Sequence, residues 1–158
     1  MLARKGAGRE AKLSYAGHVL LDNRHGLVAN VCVTPATGTA EREAALHLIA
    51  HLGSGRGTIG GDRGYNHRAF VDGVRQAGKT PHVAVKRTGN AIDGRTIRHP
   101  GYAVSQRLRK RVEEIFGWMK TVGLLRKLRH RGLPKVAWTF TFTAAAYNLV
   151  RMRRLLVG

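Results

Sequence analysis

The sequence predicts an α/β fold, and two periodicities together with their order along the chain support this. Residues from Leu13 to Leu21 alternate with a period of two, which is typical of a strand. Residues from Val104 to Val122 carry apolar side chains at intervals of three and four, which is typical of an amphipathic helix. The full order is β-β-α-β-α-β-α-α, and interleaved elements of this kind pack in layers. We interpret residues 1–158, 43% of them hydrophobic, as a single domain with a core of its own.

A β-hairpin and a helix are predicted first. The strand from Leu13 to Leu21 is followed by the turn-forming cluster Asp22–Gly26, and the segment Leu27–Thr34 is rich in β-branched residues. Two such segments joined by a short turn predict a hairpin. Thr39 is then expected to cap a helix from Ala40 to Leu52.

The middle of the chain predicts a short strand, a helix and a second short strand. Thr58–Gly61 is a strand that ends at Asp62, Asn66–Gln76 has helical character, and His82–Lys86 is the second strand. Residues 87–103 contain several Gly and Arg residues and a Pro, which favours a flexible basic loop.

Two helices joined by a basic connection complete the predicted fold. The helix Val104–Val122 is followed by residues 123–132, which are rich in Arg and Lys, and by a closing helix over residues 136–157. Cations near the end of the closing helix suit the helix dipole. Its apolar part, Val136–Val150, is shorter than the ~20 residues that span a bilayer. We interpret this part as a buried helix and expect no membrane partner.

The charge balance of the chain is strongly positive. Twenty-eight Lys and Arg residues stand against 9 Asp and Glu residues, which gives a formal net charge of +19. Cations gain affinity for polyanions by neutralising phosphates and releasing counterions. We therefore predict a nucleic-acid partner. A ribosomal-type RNA-binding protein shares this charge signature and stays open as an alternative, as does a stand-alone DNA-binding regulator.

Asp62 is the first candidate for a functional site. It ends the predicted strand Thr58–Gly61 and enters the sequence Arg63-Gly64-Tyr65. A carboxylate at the carboxyl end of a strand in an α/β domain often points into a site, where it can hold a metal ion beside a phosphate. An Asp in this place also commonly caps the helix that follows. The local pattern favours neither interpretation.

The helix Val104–Val122 carries two stripes of side chains. The apolar stripe is expected to be buried and comprises Val104, Leu108, Val112, Ile115 and Met119. The stripe on the opposite face comprises Gln106, Arg109, Glu113, Gly117 and Lys120. A carboxylate flanked by cations suits a metal ion next to a phosphate backbone, but a solvated face with an Arg–Glu pair worth only ~0.3–0.5 kcal/mol has the same pattern. Periodicity alone favours the solvated face, and it does not choose between Glu113 and Glu114.

Several motifs taken together resemble one family of proteins. Residues 4–13, Gly61-Asp62-Arg63-Gly64-Tyr65 and residues 98–107 each look like a segment of this family. Its third-carboxylate signature, Tyr-x2-Arg-x3-Glu-x6-Lys, falls on Gln106, Arg109, Glu113 and Lys120. Over essentially its whole length the chain resembles the C-terminal half of the DDE transposases of bacterial insertion sequences, in the family named after insertion sequence five. The signature selects Glu113 over Glu114, and Gln106 departs from it because the family has Tyr there.

The resemblance implies an RNase H-like fold with a two-metal site that normally holds Mg²⁺. It implies that Asp62 and Glu113 are catalytic residues and metal ligands. One ion would activate the attacking oxygen and the other would stabilise the leaving oxygen. Water would first free a 3′-OH at the transposon end, and that 3′-OH would then attack target DNA. Such a protein is expected in the cytoplasm, associated with the nucleoid.

The resemblance also suggests which cations contact DNA. By analogy, Arg109 and Lys120 would contact the DNA backbone near the scissile phosphate. Other exposed cations are expected to make further phosphate contacts, and these are Arg63, Arg95, Arg98, Arg126, Lys127, Arg129 and Arg131.

A last implication concerns what this chain lacks. The first catalytic Asp of the family lies on a strand before the matching segment, and neither Glu10 nor Asp22 stands in the right place for it. We therefore expect an RNase H-like domain truncated at its N-terminus, with its first strand missing, an exposed sheet edge, and DNA binding without cleavage. The expected partners are DNA at transposon ends and targets, and either a second copy or an upstream-encoded transposase half.

Overall fold

A computed structural model describes residues 2–3, 12–37 and 40–157 of the chain. Within these ranges the strands are β1 (Leu2–Ala3), β2 (Lys12–Leu13), β3 (Tyr15–Leu21), β4 (Val28–Pro35), β5 (Gly57–Gly61) and β6 (Lys79–Val83). The helices are α1 (Ala40–Ala50), α2 (Arg68–Gln76), α3 (Gly94–Arg98), α4 (Pro100–Leu108), α5 (Arg111–Thr121) and α6 (Leu133–Val157), with a 3₁₀ turn at Arg63–Tyr65. This is a mixed α/β fold, as predicted. The motif at residues 4–11 and the expected cap Thr39 lie outside the described residues.

The described strands form three separate pairs. The hairpin β3–β4 is antiparallel, with Tyr15 opposite Pro35 and a register shift between Leu20 and Leu21. Strands β5 and β6 run parallel, with Gly61 opposite Val83, and β1 pairs with β2. The predicted hairpin is confirmed, and the strand predicted at 82–86 is found earlier, at β6. The hairpin sheet and the β5–β6 sheet are not hydrogen-bonded to each other in the described part of the chain.

Two hydrophobic cores hold these elements. The first core surrounds β6 and is formed by Ile49, Phe70, Val71, Val74, Val83 and Ile92. The second core lies between the hairpin and the last two helices and is formed by Ile115, Met119, Phe140, Ala144 and Tyr147. The hairpin side chains Val19, Val31 and Val33 pack against the second core. Since neighbouring residues of a strand point to opposite faces, the other face of the hairpin lies against α1.

The N-terminus of α1 is capped from within the described residues. The Thr37 Oγ1 atom accepts a hydrogen bond from the Ala40 amide at 3.1 Å. This bond satisfies one of the amides that a helix start leaves unpaired. The helix predicted from Asn66 begins later, at Arg68, because Asn66 is fully buried and its side-chain amide bonds to the Ala84 carbonyl.

The long helix predicted over Val104–Val122 is two helices. Helix α4 ends at Leu108 and α5 begins at Arg111. At this junction the Val112 and Glu113 amides bond to the Arg109 and Lys110 carbonyls, each three residues back, which is the tighter 3₁₀ pattern. The predicted apolar stripe is therefore only partly buried: Ile115 is fully buried, but Val104 is 44% exposed. A local change of helical twist moves one half of a stripe away from the core, and periodicity does not reveal it.

The segment predicted as a flexible basic loop, residues 87–103, is partly helical. Asp93 caps α3 by accepting a bond from the Thr96 amide at 2.7 Å, and α4 begins at Pro100. Pro100 is part of the signal that predicts a loop, but proline is also favoured in the first turn of a helix, where its missing N–H is not needed.

Helix α6 agrees with the predicted closing helix in position but not in burial. It spans Leu133–Val157, and its buried residues include Val136, Phe140 and Tyr147. Trp138 and Phe142, on the other side, are 66% and 63% exposed. The helix that the sequence predicts to be buried is therefore buried on one face only. Across residues 2–3, 12–37 and 40–157, no helix is both long and apolar enough to cross a membrane.

Candidate active site

Asp62 lies directly after the C-terminal end of β5. Its backbone is extended, its side chain is exposed, and its Oδ1 atom accepts a hydrogen bond of 2.7 Å from the Gly64 amide. The carboxylate thus caps the 3₁₀ turn Arg63–Tyr65. The start of α2 has no side-chain cap. The interpretation of Asp62 as a capping residue is therefore correct for the 3₁₀ turn and not for the helix α2. One carboxylate oxygen is used by the cap, and the other is left for a ligand.

Tyr65 ties this turn to α1. Its hydroxyl donates a hydrogen bond of 3.0 Å to the Glu41 carboxylate. Burial, with the negative charges of Glu41 and Asp62 added to it, raises the pKa of the Tyr65 hydroxyl well above its ordinary value. Tyr65 therefore stays a neutral donor, and it fixes the turn that carries Asp62.

Gly60 brings β5 against the helix that leads to Glu113. A β-carbon placed on Gly60 would lie 3.7 Å from both the Arg109 Cβ atom and the Ser105 carbonyl oxygen, and 3.8 Å from the Asn23 side-chain nitrogen. Three separate segments therefore meet at Gly60: the hairpin tip, the end of β5 and the end of α4. Asp62 and Arg109 are distant in sequence, but they therefore lie on segments that pack against each other.

The Arg109 guanidinium is unusual in this region. Its Nε atom is buried and has no hydrogen-bond partner in the part of the chain that the structure describes. A buried donor without an acceptor costs ~1–3 kcal/mol. An anionic oxygen would satisfy it, because guanidinium groups form strong charge-assisted bonds with carboxylates and phosphates.

Glu113 lies in the first turn of α5, one helical turn after Arg109. Its side chain is exposed, and so is that of Glu114. The start of α5 is fixed to the hairpin tip, because Arg111 donates to the carbonyl oxygens of Asn23 and Arg24 at 2.6 and 3.0 Å. The hairpin tip therefore sets the position of the helix that carries Glu113. Exposure does not separate Glu113 from Glu114.

A buried polar group lies beneath this region, and the sequence did not reveal it. The Nδ1 atom of His82, on β6, lies 2.7 Å from the Ser105 hydroxyl, and Gln106 donates to the His82 carbonyl. Burial, with a smaller contribution from the nearby His99, lowers the pKa of His82 below its ordinary value. These bonds join α4 to β6. Gln106, which replaces the Tyr of the signature, therefore has a structural partner inside the fold.

The other predicted DNA contacts are exposed but spread over three places. Arg63 follows Asp62 directly, and Arg95 and Arg98 lie on the short helix α3. Lys120 lies in the last turn of α5, and beyond it the connection to α6 exposes Arg126, Lys127, Arg129 and Arg131. No hydrogen bond or ion pair joins these cations to Asp62 or Glu113 within the described chain. They are exposed cations on separate elements, and the described bonds do not make them part of the candidate site.

The donor chemistry of the site fits a divalent cation only in part. Carboxylate oxygens are the ligands that Mg²⁺ prefers, and Asp62 and Glu113 both present them at the surface. However, no three His, Cys, Asp or Glu side chains among residues 14–37 and 40–157 come together as a group that could hold a metal ion. The described residues thus offer two suitable ligands and not a complete site.

Comparison with known proteins supports the interpretation from the sequence. Residues 3–149 match the protein family described as the transposase DDE domain. No curated protein and no solved structure matches the chain. The matched region includes Asp62, Arg109, Glu113 and Lys120, and the mixed α/β architecture is consistent with an RNase H-like fold. Since the match covers most of its 158 residues, this chain belongs to the DDE transposase family.

Proposed function

We propose that this chain is the C-terminal part of the catalytic domain of a DNA transposase resembling those named after insertion sequence five. Its activity would be the cleavage and transfer of DNA strands at transposon ends. The family match is the observation that supports this proposal most strongly. The same match favours a transposase over a ribosomal-type RNA-binding protein, although both would carry the net charge of +19.

In this proposal Asp62 and Glu113 hold divalent metal ions, normally Mg²⁺. When bound, such an ion supplies a Lewis acid that activates an attacking oxygen and stabilises a leaving oxygen. The role of the chain itself is to position these carboxylates. The Gly64 amide orients Asp62, and the bonds from Arg111 to the hairpin tip orient the start of α5. The third carboxylate would come from a strand outside the region that this chain matches.

Arg109 would bind the DNA backbone beside these carboxylates. Its side chain starts where β5 and α4 approach each other, and a guanidinium group forms charge-assisted bonds with phosphate oxygens. The exposed cations of residues 126–131, with Arg63, Arg95, Arg98 and Lys120, would hold the flanking DNA through phosphate contacts. Chromosomal DNA would place the protein in the cytoplasm with the nucleoid. The chain alone would then bind DNA without cutting it, and a regulator of transposition would behave in the same way.

A metal-binding experiment tests the assignment of the carboxylates. Mn²⁺ binding to the full chain is measured by electron paramagnetic resonance in the presence of a short DNA duplex. We expect Asp62→Asn and Glu113→Gln each to weaken binding by about tenfold or more, because each removes one of two charged ligands. The matched control is Glu114→Gln, an equal change on the neighbouring exposed residue. Equal losses for Glu113→Gln and Glu114→Gln would contradict the assignment.

A cleavage experiment tests whether the chain is incomplete. The purified chain is incubated with Mg²⁺ and a supercoiled plasmid that carries the DNA flanking its own coding sequence. We expect DNA binding that weakens steeply with salt, and no nicking. Metal-dependent nicking that is abolished by Asp62→Ala would show that the chain is active alone, and the proposal of a missing carboxylate would be wrong.

A further inference from the structure

Helix α6 has two apolar faces, and the described structure covers only one of them. The covered face includes Val136, Phe140 and Tyr147 and belongs to the second core. The opposite face is a continuous line of exposed residues at intervals of four, three, four, three and four. This outer stripe consists of Trp138 (66% exposed), Phe142 (63%), Ala145, Leu149 (66%), Met152 (40%) and Leu156 (87%).

The spacing of the outer stripe is that of a coiled-coil seam. Alternation of three and four residues places side chains along one edge of a helix, where a second helix can pack against them. Single exposed apolar residues are ordinary, but a contiguous apolar line on a surface marks an interaction site. At the N-terminal end of the stripe, the rings of Trp138 and Phe142 stack nearly parallel on each other, with their centroids 5.4 Å apart. The spacing of the stripe is therefore the one that a second helix needs in order to pack along it.

The charge pattern argues against DNA as the partner of this face. No charged residue occurs between Lys135 and Arg151, although the chain contains 28 Lys and Arg residues. Binding to a nucleic-acid backbone relies on cations, and this face offers none over its first three and a half turns or so. The residues that flank the seam here, among them Thr139, Thr141 and Asn148, are uncharged as well. Two such surfaces therefore bring no charged side chains of their own into contact, although each chain carries a net charge of +19.

We propose that the outer stripe is the interface of a homodimer, in which α6 of one copy packs antiparallel against α6 of a second copy. The stripe is symmetric about Tyr147. In an antiparallel pair with its two-fold axis at that level, Trp138 lies opposite Leu156, Phe142 lies opposite Met152, and Ala145 lies opposite Leu149. Every seam residue thus meets a seam residue of the other copy, as a two-fold interface requires.

The arginines at the end of α6 favour the antiparallel direction. Arg151, Arg153 and Arg154 follow the uncharged stretch. Arg151 faces the hairpin, where its Nε atom donates to the His25 carbonyl oxygen, but Arg153 and Arg154 are exposed. A parallel pair would place the two exposed cations of one copy at the same level as those of the other, and like charges repel. In the antiparallel pair these two cations lie at the level of residues 140 and 141 of the other copy, where there is no charge.

The size of the surface is sufficient for a specific dimer. Buried aromatic side chains cover about 150–250 Å² each, and the stripe has two of them with three large aliphatic residues. Together with the flanking residues, both copies would bury an area on the order of the ~1,200 Å² found at the lower end of specific interfaces. The proposal does not depend on the metal site or on DNA cleavage.

The first test measures the oligomeric state of the full chain after nuclease treatment, in high salt, by sedimentation equilibrium over a dilution series. We expect a dimer that dissociates on dilution. Leu149→Glu should raise the dissociation constant about a hundredfold or more, because it buries an unpaired charge in the interface. Since Leu149 is exposed in the single chain, this change should leave the melting temperature of the monomer unchanged.

The matched control is Thr121→Glu, the same change of charge at an exposed position on α5. It should leave the dissociation constant unchanged. A wild-type chain that is monomeric at every concentration would overturn the proposal. So would a dimer whose dissociation constant does not respond to Leu149→Glu, because another surface would then be its interface.

The second test reads the direction of the helices by disulfide cross-linking in a Cys32→Ser background. Phe142→Cys and Met152→Cys in the same chain lie ten residues apart, about 15 Å along the helix, too far for a bond within one chain. We expect a covalent dimer from the double variant and none from either single variant. Cross-linking by Phe142→Cys alone would show a parallel pair, and no cross-linking by any variant would exclude this seam.

Discussion

The two candidate catalytic carboxylates are carried by different parts of the molecule. Asp62 follows β5, which pairs with β6 beside the first core, around Val83 and Phe70. Glu113 lies on α5, whose buried residues Ile115 and Met119 belong to the second core. The first core is built from α1, α2 and a parallel strand pair, and the second from an antiparallel hairpin and two helices. Each carboxylate is thus held firmly by its own core.

The relative position of the two carboxylates is set by the few contacts between these regions. They include the approach of Gly60 to Arg109 and to the hairpin residue Asn23, and the packing of α1 on the hairpin. A bound pair of metal ions requires both carboxylates at one place, so these contacts matter as much as the cores. A site of this kind can therefore be disturbed by changes at the contacts between the two regions, without unfolding either region.

The largest expected effect on the free energy of unfolding comes from truncating a buried side chain in one of the cores. Ile115→Ala, at a fully buried position, should lower the free energy of unfolding by about 2–5 kcal/mol because it leaves a cavity. Ile49→Ala in the first core, where Ile49 is 1% exposed, should cost a similar amount. Urea unfolding followed by circular dichroism checks both. We expect a single transition in each variant, since the hairpin and α1 join the two cores.

Val104→Ala is the matched control for these variants. Val104 was predicted to be buried on the same stripe as Ile115, but it is 44% exposed. Its replacement should therefore cost less than about 1 kcal/mol. Two separate unfolding transitions, each sensitive to one isoleucine, would show that the cores are independent units.

A smaller effect is expected from crowding the second core. Gly17 lies on β3, and a β-carbon there would lie 2.5 Å from a ring carbon of Phe140. Gly17→Ala should therefore cost about 1–3 kcal/mol, as is usual for overpacking. In the first core, Gly73→Ala should cost less, because its β-carbon would meet only the end of the half-buried Leu46 side chain.

Thermal unfolding measures this pair of variants, with Gly55→Ala as the control. A β-carbon on Gly55 would meet nothing within 4 Å, so the change should stay within about 0.5 kcal/mol. Combining Gly17→Ala with Phe140→Leu should recover part of the loss. If Gly73→Ala proved the more damaging of the two, the first core would be the more tightly packed.

The attachment of α5 to the hairpin tip, within the second region, is tested by Arg111→Met. This change keeps an apolar stem but removes the hydrogen bonds to the Asn23 and Arg24 carbonyls. We expect a loss of about 1 kcal/mol in the free energy of unfolding, since one of these bonds is exposed. We also expect weaker Mn²⁺ binding, because α5 would no longer be held at the hairpin tip. Arg107→Met, at an exposed position on α4, should change neither quantity.

The smallest effect is a dependence of stability on pH, with one histidine in each region. Burial lowers the pKa of His18 on β3 and of His82 on β6. Because the folded state disfavours protonation of these rings, their contribution is complete above the unfolded pKa of ~6.5 and declines as the pH falls toward the folded pKa. The melting temperature should therefore fall between about pH 7 and pH 5.

His82→Gln should reduce this slope, and His18→Gln should reduce it independently, since the two rings lie in different regions. His67→Gln at an exposed position serves as the control. Melting temperatures across the pH range provide the measurement. An unchanged slope in the variant lacking both buried histidines would assign the pH dependence to other groups.

Much of the fold could be predicted because its signals are local. Alternation gave the hairpin, and Asp22 closes its turn by accepting bonds from the Arg24 and His25 amides. The break between α4 and α5 at Arg109 could not be predicted, since it follows from packing against β5 and the hairpin tip. The same is true of Pro100, which suits both a loop and a helix start. Whether one face of an apolar helix is buried is likewise decided by neighbours that are distant in sequence.

The sequence by itself determined the α/β class, the excess of cations, the candidate carboxylates Asp62 and Glu113, and the resemblance that family comparison then supported. These depend on residue types and their spacing, which the chain carries without reference to its fold. Only the tertiary structure decided that the two carboxylates are carried beside different cores and that, among the described residues, Arg109 keeps a buried donor unpaired and α6 leaves an apolar stripe uncovered. Burial and partnership are properties of contacts between distant segments, and a linear pattern does not contain them.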